Sequence, residues 1–398
     1  MADAKSRKSK KPPKDEAYEK LSKDLSVDAE ELELLEDGTF PSWPTGCATV
    51  DILTGIGGLP QGRVVEIFGR YSSGKSNLFL TTAAEVQKLG KKVVLLDFER
   101  TFDPNWARTL GVDVADKSSF LWIRSNALRT VEDGFDILYR ILDSADAPDI
   151  GLVIWDSLAG STTAAIADKN SVGDSARMAS RAGLLSDELP KLSEKLKSKN
   201  LPTTVGFVNQ VRDNLSPMGR SDVTPGGRAF QHGASMRLQI QELKKETKTV
   251  VDEFTLSKVI EPIGQRIRIT VEKTKHGQRG RKAEALFTYQ NGFDNVGILV
   301  EFACARGDFN KISAQKFEVP AEFNVDGKPF EGTDAKIRQH FYESSESYDL
   351  LVKEMTNRIN ASYWEKIKSF SFKNMDEDII LDEPNSGSNT LDLEAGGE

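Results

Sequence analysis

Apolar positions along the chain fall into short continuous runs separated by longer segments with helical spacing. Runs at Arg63–Phe68, Lys92–Asp97, Phe120–Ile123, Leu152–Asp156 and Thr203–Val208 read as strands buried on both faces. Between them, Ser76–Leu89, Val131–Asp143 and Ala176–Lys197 read as helices. Strands alternating with helices of that length predict βαβ crossovers and a mainly parallel sheet. Three further runs, Ala234–Ile240, Arg266–Val271 and Ala283–Tyr289, have no long helices between them and predict antiparallel hairpins extending the same sheet. From residue 294 the pattern is mixed, with a helix over Asp349–Asn360, which predicts a small C-terminal α/β domain over 294–370. Upstream, residues 15–38 suggest one or two short helices, and "FPSWPTG" is a turn-rich entry into a core spanning 41–293.

The first buried run leads into Gly69-Arg70-Tyr71-Ser72-Ser73-Gly74-Lys75-Ser76, a full match to G-x-x-x-x-G-K-[ST]. Glycines let successive backbone N–H groups face one anion at the positive end of the following helix. Lys75 is placed for the β- and γ-phosphates of a nucleoside triphosphate and the Ser76 hydroxyl for Mg²⁺. "GLVIWDS" ends a buried strand on Asp156, where a carboxylate can hold the metal's shell. Glu99 stands just past the end of the second strand, among the carboxyl ends that line the ligand crevice of such sheets, and is a candidate general base. Gln210 ends the fifth strand with an amide able to donate to phosphate and accept elsewhere.

Composition narrows the class. With 398 residues, 38% hydrophobic and 29% charged, the chain suits a globular protein with polar tails. No apolar run approaches the roughly 18 residues of a membrane span, and the N-terminus lacks the apolar segment of a secretory signal, so a cytoplasmic location is expected. Two cysteines and three scattered histidines leave no disulfide framework and no Cys- or His-based metal site. The net charge of −8 is unevenly spread: residues 5–14 carry six Lys or Arg, and 376–398 carry eight Asp or Glu. Runs of one sign are commonly solvated tails, so 1–14 and 371–398 are expected to be disordered. The acidic tail could also compete with a polyanion for basic surface.

"PTGCATVDILTGIGGLPQGRVVEIFGRYSSGKS", "VVLLDFERTFDPNWARTLGVD", "VIWDSLAG", "VGDSARMASR", "GFVNQVRDN" and "TPGGRAF" occur in an order that resembles the RecA-type recombinases, bacterial and phage-encoded. With "EKTKHGQRG" and "YESSESYDLLVKEMTNRI", the resemblance covers roughly 41–365. It implies a RecA-like phosphate-loop core, ATP and Mg²⁺ as cofactors, single-stranded and homologous duplex DNA as partners, and head-to-tail assembly into a helical filament. It assigns Gly69, Arg70, Tyr71, Ser72, Ser73, Gly74, Lys75, Ser76 and Asn77 to phosphate binding. Asp103 and Trp106 fall at the adenine, where the family more often has Tyr for the ring. Ser76 and Asp156 serve the metal and Glu99 the water. Gln210 links the γ-phosphate to DNA.

Two loops, 169–181 and 211–228, match the family's DNA loops, with Arg177, Met178, Arg181, Arg212, Leu215, Arg220, Gly226, Gly227 and Arg228 as candidate contacts. Arg177 stands where the family more often has Met, and the second loop is one residue shorter. Lys273 and Lys275 match a pair that reaches the ATP of a neighbouring subunit, although by charge alone their run reads as a solvated hairpin tip. The N-terminal element over 1–40 would pack on the adjacent core. Two other readings stay open: a hexameric motor that closes into a ring, and a non-catalytic recombination mediator.

Overall fold

The structure is a computed structural model that describes residues 40–124, 128–167, 174–213, 222–223, 228–251 and 257–369. The expected N-terminal element, residues 169–173 of the first DNA loop, most of the second and the acidic tail lie outside these residues, and the rest of the first loop, 174–181, is helix and not loop. The chain divides into two compact units, 1–41 and 42–398, and the architecture below is that of the second.

A nine-stranded sheet carries the fold. In chain order its strands are β1 (Val64–Gly69), β2 (Lys92–Asp97), β3 (Phe120–Ile123), β4 (Ile150–Asp156), β5 (Thr204–Gln210), β6 (Met236–Val251), β7 (Lys258–Thr274), β8 (Lys282–Thr288) and β9 (Gly292–Phe293). Across the sheet the order is β9-β8-β7-β6-β1-β5-β4-β2-β3. The pairings from β6 through β3 are parallel, and those among β6, β7, β8 and β9 are antiparallel. The sheet is therefore mostly parallel with an antiparallel extension, as the alternation of runs predicts.

Among the described residues, the helices of six residues or more are α1 (Ala48–Thr54), α2 (Lys75–Lys88), α3 (Pro104–Thr109), α4 (Val131–Asp143), α5 (Asp174–Ser198), α6 (Asn295–Arg306), α7 (Asp334–Glu343) and α8 (Ser345–Ser369). Thr130 and Asp133 form a reciprocal capping box that fixes the start of α4. Among the described residues no helix is long and apolar enough to cross a membrane.

The main core lies on the α4/α5 face of the sheet, where Leu138, Leu142, Leu185, Leu189 and Leu192 pack on Val153, Trp155 and Phe207. Within it an aromatic chain runs directly beneath the strand ends. Phe98 stacks on Trp155 at 4.7 Å, Trp155 meets Phe207 at 5.3 Å, and Phe207 meets Phe230 at 5.2 Å. Gly134 of α4 permits this stack, because a Cβ there would lie 2.2 Å from the Trp155 ring. Phe98 and Trp155 immediately precede Glu99 and Asp156, so one stacked pair anchors both acidic strand ends.

A second cluster joins α6, α7 and α8 with Phe309, Val319 and Phe323, and it also takes in Ala48 and Ile52 of α1. It lies beside a three-stranded sheet of Asn310–Lys311, Lys316–Val319 and Phe330–Thr333. The helix expected over 349–360 extends from Ser345 to Ser369.

The largest departure from the sequence pattern is in β6 and β7. The runs Ala234–Ile240 and Arg266–Val271 are only the sheet-bound parts of strands of 16 and 17 residues. β6 pairs with β1 only from Met236 to Ile240, but β7 stays paired with β8 as far as Gly264, opposite Glu246, and only beyond that do β6 and β7 continue as a two-stranded arm.

Candidate nucleotide site

β1 delivers the chain into the 69–76 loop, and α2 begins at Lys75. Gly69 passes so close to β6 that a Cβ would lie 2.1 Å from the Ile240 carbonyl oxygen. Gly74 caps α2 with φ +91°, a conformation that favours glycine. The first turn of α2 thus presents its N–H groups at the mouth of the loop.

Lys75 is 6% exposed and its Nζ donates to the Arg70 carbonyl at 2.6 Å, with Ser73 Oγ at 3.5 Å. Burial pushes the ammonium down to about 8, opposed by the charges of Asp156 and Glu99. The Ser76 hydroxyl donates to Asp156, whose carboxyl is pushed up to about 6 by burial and by the neighbouring Glu99 and Asp97.

Parallel pairing of β2 with β4 sets Asp97 opposite Asp156, so Glu99 follows at the same edge. The Phe98 N–H donates to the Asp156 carbonyl at 2.7 Å, continuing the ladder past the named strands. Glu99 Oε1 accepts from Ser157 Oγ and from Gln210 Nε2, the latter at 2.9 Å. Gln210 is opposite Gly69 in register, and the Val211 N–H donates to the Gly69 carbonyl at 3.0 Å. Lys75, Ser76, Glu99, Asp156 and Gln210 therefore line one cleft of about 510 Å³, together with Tyr71, Ser72, Ser73, Gly74 and Asn77.

Asp103 and Trp106 lie at the entry to α3. The Asp103 carboxylate caps that helix, accepting from the N–H groups of Asn105 at 2.8 Å and Trp106 at 3.4 Å. Trp106 Nε1 donates to Asn77 Oδ1 at 2.9 Å, which ties its half-buried ring to the residue after Ser76.

The chemistry of this donor set suits a magnesium nucleotide. Among the described residues no group of three or more His, Cys, Asp or Glu could hold a metal by itself. One hydroxyl and one carboxylate beside a phosphate loop are the partial shell that Mg²⁺ completes with phosphate oxygens and water.

Other expected residues stand elsewhere. Lys273 donates to the His232 carbonyl at 3.0 Å, and Lys275 is exposed at the β7–β8 turn. Arg228 is exposed at the start of the short helix Ala229–Gly233. Arg181, expected at DNA, is 8% exposed, and its guanidinium donates to the Ser161 carbonyl. Burial under the 158–163 turn turns this side chain inward. Arg177 and Met178 belong to α5 and Arg212 to the short strand Arg212–Asp213, whereas Leu215, Arg220, Gly226 and Gly227 lie outside the described residues.

Sequence reasoning missed several neighbours of the site. Tyr289, Gln265, Glu242 and Lys245 line the same cleft. Behind it, fully buried Glu66 accepts from Asn209 Nδ2 at 2.7 Å and from Arg237 Nε at 2.5 Å, and the Arg237 guanidinium lies 4.6 Å from the centre of the Phe68 ring. An acid inside the apolar run "VVEIF" was the available signal, because a buried carboxylate requires a partner.

A family profile described as RecA N-terminal domain matches residues 27–294. Protein RecA of Leptospira meyeri is 35% identical over 260 residues, covering 65% of this chain and 61% of the relative. Protein RecA of Streptomyces avermitilis is 32% identical over 273 residues, 68% of this chain and 66% of its own length. For Protein RecA of Clostridium acetobutylicum the figures are 34% over 272 residues, 68% and 71%. The matched part thus spans about three fifths of the length of the Leptospira relative. A profile match across most of the chain, over the strands and loop that build this cleft, places it: the chain belongs to the RecA family.

Proposed function

We propose that this protein is an ATP-dependent recombinase that assembles head to tail on single-stranded DNA and promotes homologous pairing and strand exchange. ATP binds at the 69–76 loop with its phosphates on the α2 N-terminus and the Lys75 ammonium. Ser76 and Asp156 hold Mg²⁺, which when bound neutralises charge on the phosphates. Glu99 orients and deprotonates the attacking water, and Ser157 and Gln210 hold its carboxylate in place. Trp106, with Asp103, serves the adenine.

The observation that carries the reading is the hydrogen bond from Gln210 to Glu99. It links the candidate base to the last residue of β5, from which the chain runs into the 211–228 loop. DNA held by that loop and nucleotide in the cleft would then act on one another through a single side-chain contact, and such linkage is reciprocal.

The sheet register supports a role in trans for Lys273 and Lys275. Gln265 lies over Gly74, and Lys273 follows it by eight residues on the same strand, about 26 Å at the usual rise. A lysine at that end cannot serve its own phosphate loop. A neighbour's ATP is the natural recipient, and a repeating head-to-tail contact gives an open filament unless rotation closes it.

The test is steady-state ATP hydrolysis with and without single-stranded DNA. Strong stimulation that disappears in Lys75→Ala is the expected result. Turnover indifferent to DNA would sink the recombinase mechanism.

A further inference from the structure

β6 parts from β1 at the phosphate loop, where Ile240 opposite Gly69 is their last pairing, and runs on against β7, which stays paired with β8 as far as Gly264. Two residues past Ile240 the register slips. Glu242 is opposite Ile267, but Lys244 is opposite Arg266 and Lys245 opposite Gln265, leaving Leu243 as the extra residue of a β-bulge. Side chains alternate faces along a strand, so without the bulge Glu242 and Lys244 would share a face. With it, Glu242 and Lys245 share the face of Ile267 and Gln265.

The neighbours on each side agree with this assignment. Gln265 is 6% exposed, with its amide nitrogen 3.3 Å from the position a Gly74 Cβ would take. Lys245 and Glu242 line the cleft with Ser73, Lys75, Asp156 and Gln210. Lys244 is on the other face and pairs with Glu246 at 3.2 Å, and Glu246 also meets Arg266 at 3.2 Å.

We infer that Lys245 is a second nucleotide-binding cation, contributed in cis by β6 where it continues past β1 and aimed by the Leu243 bulge at the polyphosphate of the bound nucleoside triphosphate. Lys75 meets the phosphates from the loop below, and Lys245 closes on them from the side open to solvent. A flexible ammonium suits this position, since it reaches a phosphate oxygen as a point charge without a fixed approach. Glu242, on the same wall, opposes the anion and weakens what Lys245 adds. The inference rests on the reading of the cleft as a triphosphate site.

Calorimetric titration with magnesium ATPγS tests it on the full chain. Lys245→Ala should raise Kd about three- to tenfold, with the difference shrinking between low salt and about 0.3 M salt as exposed charges are screened. Lys245→Arg should return Kd to within about twofold of wild type. Glu242→Gln should shift it the opposite way, about twofold tighter. Lys244→Ala, on the far face, should leave Kd unchanged. A Lys245→Ala Kd equal to wild type, or one matched by Lys244→Ala, overturns the inference while loss of binding in Lys75→Ala keeps the triphosphate reading intact. If Lys75→Ala also binds normally, that reading falls and this inference with it.

Discussion

Gln210 Nε2 and Glu99 Oε1 are 2.9 Å apart, across a gap between strands that are not neighbours: β5 carries the amide and the end of β2 the acid, with β4 between them. The bond spans the sheet edge over the Asp156–Ser157 segment, where Ser157 Oγ donates to the same carboxylate oxygen. The amide is neutral, so it fixes the position of the acid without adding a charge beside it.

Removing that amide should uncouple the site from DNA before it disables hydrolysis. Gln210→Ala is expected to retain basal ATP turnover within about fivefold and to lose most of its stimulation by single-stranded DNA. Gln210→Glu sets a second carboxylate against Glu99 and should lower basal turnover as well. Paired rate measurements with and without DNA check both, and full stimulation in Gln210→Ala would break the proposed link.

Gly160 sets a second constraint on Glu99. A Cβ at Gly160 would lie 2.8 Å from Glu99 Cγ. Gly160→Ala must therefore displace the carboxylate from Ser157 and Gln210 while leaving the phosphate loop untouched. The expected outcome is a fall in kcat of about tenfold or more, because small misplacements of a catalytic group are costly, with ATP affinity within about twofold. Unchanged kcat would argue against Glu99 as the group that handles water.

How far these relationships could be read from the chain depends on the range of the interaction. Strands Lys92–Asp97 and Phe120–Ile123 and helix Val131–Asp143 have the limits their apolar patterns predict, because local propensity, capping and burial agree there. The phosphate loop, Asp156, Glu99 and Gln210 were legible for the same reason: each stands at the end of a strand that its own run defines. The arm was not. "QELKKETKTVV" reads as solvated surface, and only pairing with β7, such as Lys248 opposite Glu261, makes it a strand. The Leu243 bulge has no local signature. Likewise, Arg237 meets Glu66 across 171 residues of chain, a contact that no window of sequence contains.

The site's two shifted groups predict a pH window for nucleotide binding. Lys75 loses its proton from the free site near 8, and bound phosphate favours the ammonium, so affinity should fall up to about tenfold per pH unit above that value. Asp156 gains a proton near 6, and Mg²⁺ favours the carboxylate, so affinity for the magnesium nucleotide should also fall below pH 6. Titrations across pH 5–9 check both limbs. Chelating the metal, or Asp156→Asn, should flatten the acid limb and leave the alkaline one. An alkaline limb that persists unchanged in Lys75→Ala would assign it to another group.

Behind the cleft, Glu66 and Arg237 set a different kind of limit. Burial pushes the Glu66 carboxyl up, and Arg237 and Asn209 hold it down. The three residues lie on adjacent strands β1, β6 and β5, with Asn209 directly preceding Gln210. Breaking such a pair leaves an uncompensated buried charge, so Arg237→Met and Glu66→Met should each cost about 3–5 kcal/mol in denaturant unfolding. The double variant Glu66→Met/Arg237→Met removes both charges and should recover much of that loss. Losses that simply add would mean that the pair is not coupled. With the fold retained in the double variant, a smaller stimulation of ATP turnover by DNA would show that the buried triad also sets the position of Gln210, since Asn209 would have lost its acceptor.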